Sequence, residues 1–441
     1  MRFLLVLLWA SFLLSAQSSA ASQTLHIPAG AESGPGFDAQ AATKAYLATW
    51  KPSQKARSDA YFEGGYWLLL WDLLVGAAIS ILLLATRLSA RFRDWSERIA
   101  PRKPLATWLY WALYSLAVFI LGLPWAVYEG FVREAKYGFM NQTFAAWFAD
   151  QSKALAMIIL LGGIAAMALF GIVRRLERTW HIWGAGAAIA FAMAAVLIFP
   201  VFIAPLFNTY KLLEDASIRD PILRIARENG IPATRVYEMD ASRQSNRISA
   251  NVSGLLGTER ITLNDNLLRR CSPQAVLAVM GHEMGHYVLN HTYKMVAFQA
   301  LIFLGFFAAL RWSLDRSLTR WGAGWRIRGA GDTAVLPLAA LILSILSFAA
   351  TPIQNTLVRT QEYEADIFGL NASRQPDGFA EAALLLGEYR KMEPGAVEEF
   401  LFFDHPSGRT RIYSAMRWKA ENQCLGSAVN PCERPASAAG R

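Results

Sequence analysis

Six stretches of this chain are long and apolar enough to cross a lipid bilayer, and they restrict its fold more than any other feature. They run at about 66–86, 107–128, 154–173, 181–205, 296–312 and 334–353. The hydrocarbon core of a bilayer is roughly 30 Å thick and takes about 20 helical residues to cross. Within it every backbone N–H and C=O needs an internal partner, so runs of this length must be helices. With 54% hydrophobic and 17% charged residues among 441, the chain is too apolar for a soluble protein of its size. The expected class is mainly α: a polytopic membrane protein with about six transmembrane helices.

The net charge of +9 does not indicate nucleic-acid binding, because the arginines cluster in short loops between apolar runs. The loop after 66–86 holds Arg87, Arg91, Arg93, Arg98, Arg102 and Lys103. The loop after 154–173 holds Arg174, Arg175 and Arg178, and the loop after 296–312 holds Arg316, Arg320, Arg326 and Arg328. The 129–153 loop has only Arg133, Lys136 and Lys153. Alternation then puts 21–65, 129–153, 206–295 and 354–441 on the exported side, the periplasmic side of a bacterial inner membrane. The first 20 residues carry Arg2, a short apolar core and a Ser18-Ser19-Ala20 end. They read as a signal peptide or, if uncleaved, as a seventh membrane helix. Cys424 and Cys432 flank a turn-rich segment and can form a disulfide in an oxidising compartment, whereas Cys271 reads as a buried thiol.

Residues 21–43, rich in Ala, Ser and Gly, read as a mobile exported linker within a pre-membrane segment, 21–65. Four membrane helices fill 66–205. The 206–295 region is polar, with a helix expected at 217–229, ended by Gly230 and Pro232. Strand-like alternation marks "TRVYEMD" (234–240) and "ERITLND" (259–265), with "SANVSGLL" (249–256) between them. A further helix starts after Ser272-Pro273, an N-cap with proline at the first helical position. Two membrane helices occupy 296–353, and 354–441 is polar again. There is no internal repeat and no nucleotide-binding glycine loop.

The helix after Ser272 carries "GHEMGH" (281–286). His282 and His286 are four apart, so they project from nearly the same helix face. Paired imidazoles at this spacing suit zinc, and Glu283 beside them suits a general base acting on a zinc-activated water. His291 is nine residues from His282, about half a turn away on a continuous helix, and is expected to face elsewhere. The third ligand must then come from a distant segment, and "QEYEAD" (361–366) is the best source. On a helix Glu362 and Asp366 share a face while Glu364 points to the other side. One of the two binds zinc and the other orients a ligand histidine; spacing does not say which. The alternative for that segment is a solvated acidic helix face.

The chain resembles the type I CAAX prenyl protease family, the membrane gluzincins also called sterile-24-type endopeptidases. The resemblance runs from about Tyr46 to Met416. It rests on "GLPWAVYEGFVREAKYGFMNQT" (122–143), "APLFNTY" (204–210), "SANVSGLLGTERITLNDNLL" (249–268), "GHEMGH", "NTLVRTQEYEAD" (355–366) and "HPSGRTRI" (405–412), in the family's order. The resemblance implies one zinc ion per chain with Glu362 as third ligand and Asp366 orienting a ligand histidine. It implies that His405 and Arg411 contact substrate or stabilise the developing oxyanion. It places Asn251 on an edge strand where a substrate backbone pairs, and it implies a water-filled chamber among the helices. Asp72, inside the first of the six runs, could line such a chamber, but a position near the membrane interface is the favoured reading. The chain departs from the family at Val358, where serine commonly precedes the motif arginine, and at Ser407-Gly408 after Pro406.

The expected function is that of an integral-membrane zinc metalloendopeptidase in a small α/β zinc-peptidase domain, 206–295, completed by 354–441. Its expected partners are the bilayer and peptides or unfolded segments of exported or membrane proteins. CAAX-type processing of prenylated proteins is one alternative, although eukaryotic relatives hold the site on the cytosolic side. A non-catalytic scaffold with structural zinc is another, which Glu283 and the lack of a fourth ligand candidate disfavour. An intramembrane protease of the site-two type is excluded, because the apolar run before His282 is only "AVLAV" and Asn264-Asp265-Asn266 and Arg269-Arg270 lie upstream.

Overall fold

A computed structural model describes residues 24–253 and 259–422. The signal-peptide region and the Cys424 and Cys432 pair lie outside the described residues. A short helix, α1 (Ala39–Ala48), precedes the first long apolar helix, α2 (Pro52–Ala85). The amphipathic α3 (Leu88–Ile99) follows, then α4 (Lys103–Lys136), α5 (Phe144–Arg175) and α6 (Trp180–Leu206). The next layer contains β1 (Tyr210–Leu212), α7 (Ala216–Glu228), β2 (Val236–Met239), β3 (Ala250–Ser253), β4 (Arg260–Asn264), α8 (Asp265–Arg270) and α9 (Pro273–Val288). Two long helices, α10 (His291–Trp325) and α11 (Leu336–Ser373), lead to α12 (Pro376–Leu386), α13 (Ala396–Phe402) and α14 (Gly408–Asn422).

Six of these helices are long and apolar enough to span a membrane, in the six places the apolar runs mark. Each outruns its apolar stretch: α2 begins at Pro52 and α11 continues to Ser373. Hydropathy marks only the part that faces lipid, whereas packing against the polar layer holds the rest helical. The extension of α11 carries Glu362 and Asp366 out of the apolar segment.

The helices gather the loops at two opposite ends. At one, Arg93 donates to Asp332 at 2.5 Å and to the Arg326 carbonyl at 2.8 Å, and Arg174 donates to the Gly331 carbonyl at 2.9 Å. Arg328 pairs there with Glu97 at 2.8 Å. At the other, Tyr46 donates to Asp377 at 2.8 Å, Asn141 to the Ser242 carbonyl at 2.6 Å and Arg247 to Glu134 at 2.6 Å. The arginine-rich loops therefore share one end, and the four segments assigned to the opposite side share the other.

The polar layer has a four-stranded sheet in the order β1-β2-β4-β3. The outer pairs are antiparallel and β2 runs parallel to β4, with Val236 opposite Ile261 and Asn251 opposite Thr262. The segment at 249–256 thus supplies an edge strand. β1, too short to show a pattern, was not legible in the sequence. Beneath the sheet, Ile222, Ile261, Leu263, Leu267, Met280 and Met284 are buried in one core.

The mobile linker expected at 21–43 is corrected for its described part, 24–43. Ala31 and Ala42 are fully buried, α1 packs on α14, and Lys419 donates to the Ala31 carbonyl at 2.7 Å. Small residues that look like a linker by composition are here packed in a core with Tyr46, Ile412 and Met416. Asp72 does not line the cavity that holds His282 and Glu283; it accepts the Trp125 indole proton at 2.8 Å, between α2 and α4.

Candidate active site

Helix α9 is started by Ser272, whose hydroxyl caps the Ala275 N–H at 3.2 Å, with Pro273 following. One face of α9 enters the core through Met280 and Met284, and another lies against α11. That crossing depends on glycine. A Cβ on Gly369 would lie 2.6 Å from the His282 nitrogen, and one on Gly281 would lie 2.9 Å from the Gly369 carbonyl. With hydrogen in both places the backbones close together, and the side chains of His282 and His286 meet that of Glu362.

Glu362 Oε2 lies 3.2 Å from His282 Nε2, and Oε1 lies 3.5 Å from His286 Nε2. The two imidazole Nε2 atoms are 3.1 Å apart, and the three ligand-type atoms all fall within 4.8 Å of one another. Behind His282, Asp366 Oδ1 lies 2.8 Å from Nδ1 and is itself held by both arms of Arg411, at 2.5 and 3.0 Å. Geometry thus separates the two acids that spacing left open: Glu362 faces both Nε2 atoms, and Asp366 faces Nδ1. His405 Nε2 lies 3.2 Å from Glu362 Oε2, and its Nδ1 lies 2.8 Å from Asp404.

This donor set fits a divalent metal ion. Glu362 Oε2 is buried and has no hydrogen-bond partner among the described residues, although two imidazoles stand 3.2 Å from it. Burial alone would push the His282 imidazole down, but the adjacent Asp366 and Glu362 carboxylates outweigh that and hold it up at about 9. His286 is pushed down to about 4, first by burial and then by the His282 charge. The Glu362 carboxylate, with a buried Oε2 that has no hydrogen-bond partner among the described residues, faces both Nε2 atoms, which leaves a place for a cation among the three. Two imidazoles and one carboxylate are the set that zinc takes where a coordination position stays open for chemistry.

Glu283 lines the same cavity, half-buried. Burial, reinforced by the Glu362 carboxylate, lifts it to about 7 against the lowering pull of His282 and Arg411. The cavity holds about 710 Å³. It runs from His282, Glu283 and Arg411 to Tyr61 and Tyr66 on α2 and Asn355 on α11, so it reaches into the helical bundle. Ser249 and Ala250 form part of its wall. Asn251 is exposed on the β3 edge and does not line the cavity.

Two participants escaped the sequence reading. His291 does not face elsewhere. Helix α9 ends at Val288, Asn290 takes a left-handed conformation (φ 58°), and His291 folds back to bring Nδ1 within 2.9 Å of His286 Nδ1. Angle counting failed because it assumed one continuous helix; the signal was Asn290, a residue that tolerates this conformation. Arg359 donates to the Glu399 carbonyl at 2.9 Å and to the Phe403 carbonyl at 2.5 Å, tethering the strap that presents Asp404 and His405.

Two family profiles match the chain: "CAAX prenyl protease N-terminal, five membrane helices" over residues 41–209, and "Peptidase family M48" over 212–419. Residues 41–209 hold four of the six candidate spans. An uncharacterized metalloprotease of Bacillus subtilis is 28% identical over 83% of this chain and 86% of its own length. A CAAX prenyl protease 1 homolog of Oryza sativa is 32% identical over 58% of this chain, and CAAX prenyl protease 1 of Saccharomyces cerevisiae is 30% identical over 56%. These two alignments span 60% and 58% of those relatives. Among solved structures, that of Ste24p from S. mikatae shares the fold, with a TM-score of 0.71 and 22% identity over 83% of this chain and 89% of that one.

Proposed function

The chain belongs to the Ste24-type branch of peptidase family M48, the CAAX prenyl protease 1 relatives, and on that premise we propose how its site works. It is a multi-pass membrane metalloendopeptidase; the residue roles, the metal and the substrates are our reading. His282, His286 and Glu362 hold one zinc ion. When bound, zinc supplies Lewis acidity, polarising the scissile carbonyl and making a water acidic enough to attack.

Glu283 takes the proton from the attacking water and delivers it to the leaving amine nitrogen; a carboxylate lifted to about 7 suits both halves of that exchange. Asp366 holds the His282 ring in the orientation that turns Nε2 toward Glu362. His405, on its tethered strap, and Arg411 supply N–H donors and positive charge beside the attacked carbonyl. The outer edge of β3, which pairs with no further strand among the described residues, offers an extended segment main-chain pairing, with Asn251 on that strand.

The proposed substrates are peptides or unfolded segments of exported or membrane proteins. Segregation of the arginine loops to the opposite end supports a site on the exported, periplasmic face of a bacterial inner membrane. Processing of prenylated proteins, which the names of the plant and yeast relatives carry, is the second reading. The observation that carries the proposal is the Glu362 carboxylate between two imidazoles, with Glu283 in the same cavity.

The test uses detergent-purified protein and a quenched unfolded peptide. Cleavage should stop with a zinc chelator and return with added zinc; cleavage indifferent to the chelator would overturn the reading. Alkaline phosphatase fused after residue 145 should be active and after 100 and 325 inactive, and the reverse pattern would place the site on the cytoplasmic face.

A further inference from the structure

His286 is backed by a second imidazole, where His282 is backed by a carboxylate. His286 Nδ1 lies 2.9 Å from His291 Nδ1, His291 Nε2 lies 3.0 Å from Glu364 Oε2, and that same oxygen accepts from Lys294 at 2.8 Å. When two ring nitrogens face each other, one must carry a proton and the other must offer its lone pair. An ionised Glu364 only accepts, so His291 keeps its proton on Nε2 and presents a bare Nδ1 to His286. His286 then carries its proton on Nδ1 and turns the lone pair of Nε2 toward Glu362 and His282. The row of side chains thus selects one tautomer for each ring.

The backbone supports this arrangement. His291 is buried although it opens α10, because the left-handed turn at Asn290 tucks it beneath His286. Its ring stands edge-on to that of His286, 70° between planes and 5.0 Å between centres. Lys294 comes from α10 and Glu364 from α11, so the row is closed by two helices that continue into the membrane.

We propose that His291 is a positioning residue for His286, fixed in tautomer and rotation by Glu364 and Lys294, and that it sets how tightly the site holds zinc. This rests on the zinc site proposed above. A neutral imidazole leaves His286 less electron-rich than a carboxylate partner would, so this is the side of the site that yields first when zinc is stripped.

The experiment is zinc competition against a chromophoric chelator on full-length purified protein, with the visible spectrum of the cobalt-substituted form and the unfolding temperature of the zinc-free form alongside. His291→Leu should weaken zinc about 10- to 100-fold and change the cobalt spectrum while leaving the zinc-free unfolding temperature in place. His291→Asn, whose Oδ1 accepts from the His286 N–H, should recover most of the affinity. Wild-type affinity in His291→Leu would overturn the proposal. So would equal losses in the Leu and Asn variants together with a lower unfolding temperature, the signature of a packing role. A wild type that binds no zinc would fail the metal-site reading itself.

Discussion

His282 and His286 sit one turn apart on the same helix, yet opposite kinds of structure hold them. Behind His282 stands a buried ion pair, Asp366 with Arg411, whose side chains are 1% and 8% exposed. Behind His286 stands a neutral ring and then a surface pair, Glu364 with Lys294, at 43% and 44%. A buried ion pair tolerates little movement, because either partner alone leaves an uncompensated charge. A surface pair contributes under about 1 kcal/mol and weakens with salt. One proposed ligand is thereby anchored by a buried pair between α11 and α14, and the other by His291 and a surface pair between α10 and α11.

Four substitutions and one labelling experiment test this asymmetry. Arg411→Ala should cost about 3–5 kcal/mol by stranding the Asp366 carboxylate, measured as a large fall in unfolding temperature with loss of bound zinc; an unchanged temperature would mean that the pair is not an anchor. Gly369→Ala forces a methyl against the His282 backbone. It should cost about 1–3 kcal/mol by overpacking and lower peptide turnover on the order of 100-fold by displacing the ligands. Asp366→Asn should weaken zinc by about 10- to 100-fold, and Glu364→Gln only a few-fold. The Glu364→Gln loss should shrink in high salt, where the wild-type pair is already screened. Equal losses at the two positions would erase the asymmetry.

The smallest effect concerns Cys271, whose thiol is pushed up to about 12 by burial and then by Glu381. Far below that value almost no thiolate forms, so at pH 8 alkylation of Cys271 in the native protein should be slow, read by mass spectrometry at that residue. Gly369→Ala should speed it by loosening the adjoining core, and Glu364→Gln should not.

What the sequence made legible follows the same division. Paired apolar and polar runs located all six long helices and their alternation, because lipid imposes its own pattern on a chain. Their true ends stayed hidden, since packing against the polar layer determines them. The histidine pair was legible because spacing on a helix is geometry, but Glu362 and Asp366 share a face, and only the approach of α9 onto α11 assigns them to different ring nitrogens. His291 was misread for a local reason: a single left-handed residue, Asn290, changes every angle after it. The alanine-rich start was misread for a compositional one, because Ala31 and Ala42 serve equally well as spacers and as close-packed contacts.

The central claim is that Glu283 does the proton work beside a metal held by other residues. The most direct test measures bound zinc per chain and peptide turnover side by side, in wild type and in Glu283→Gln. The account predicts equal zinc in both proteins and turnover in wild type alone. Turnover surviving in the variant, or zinc lost with it, would contradict the account.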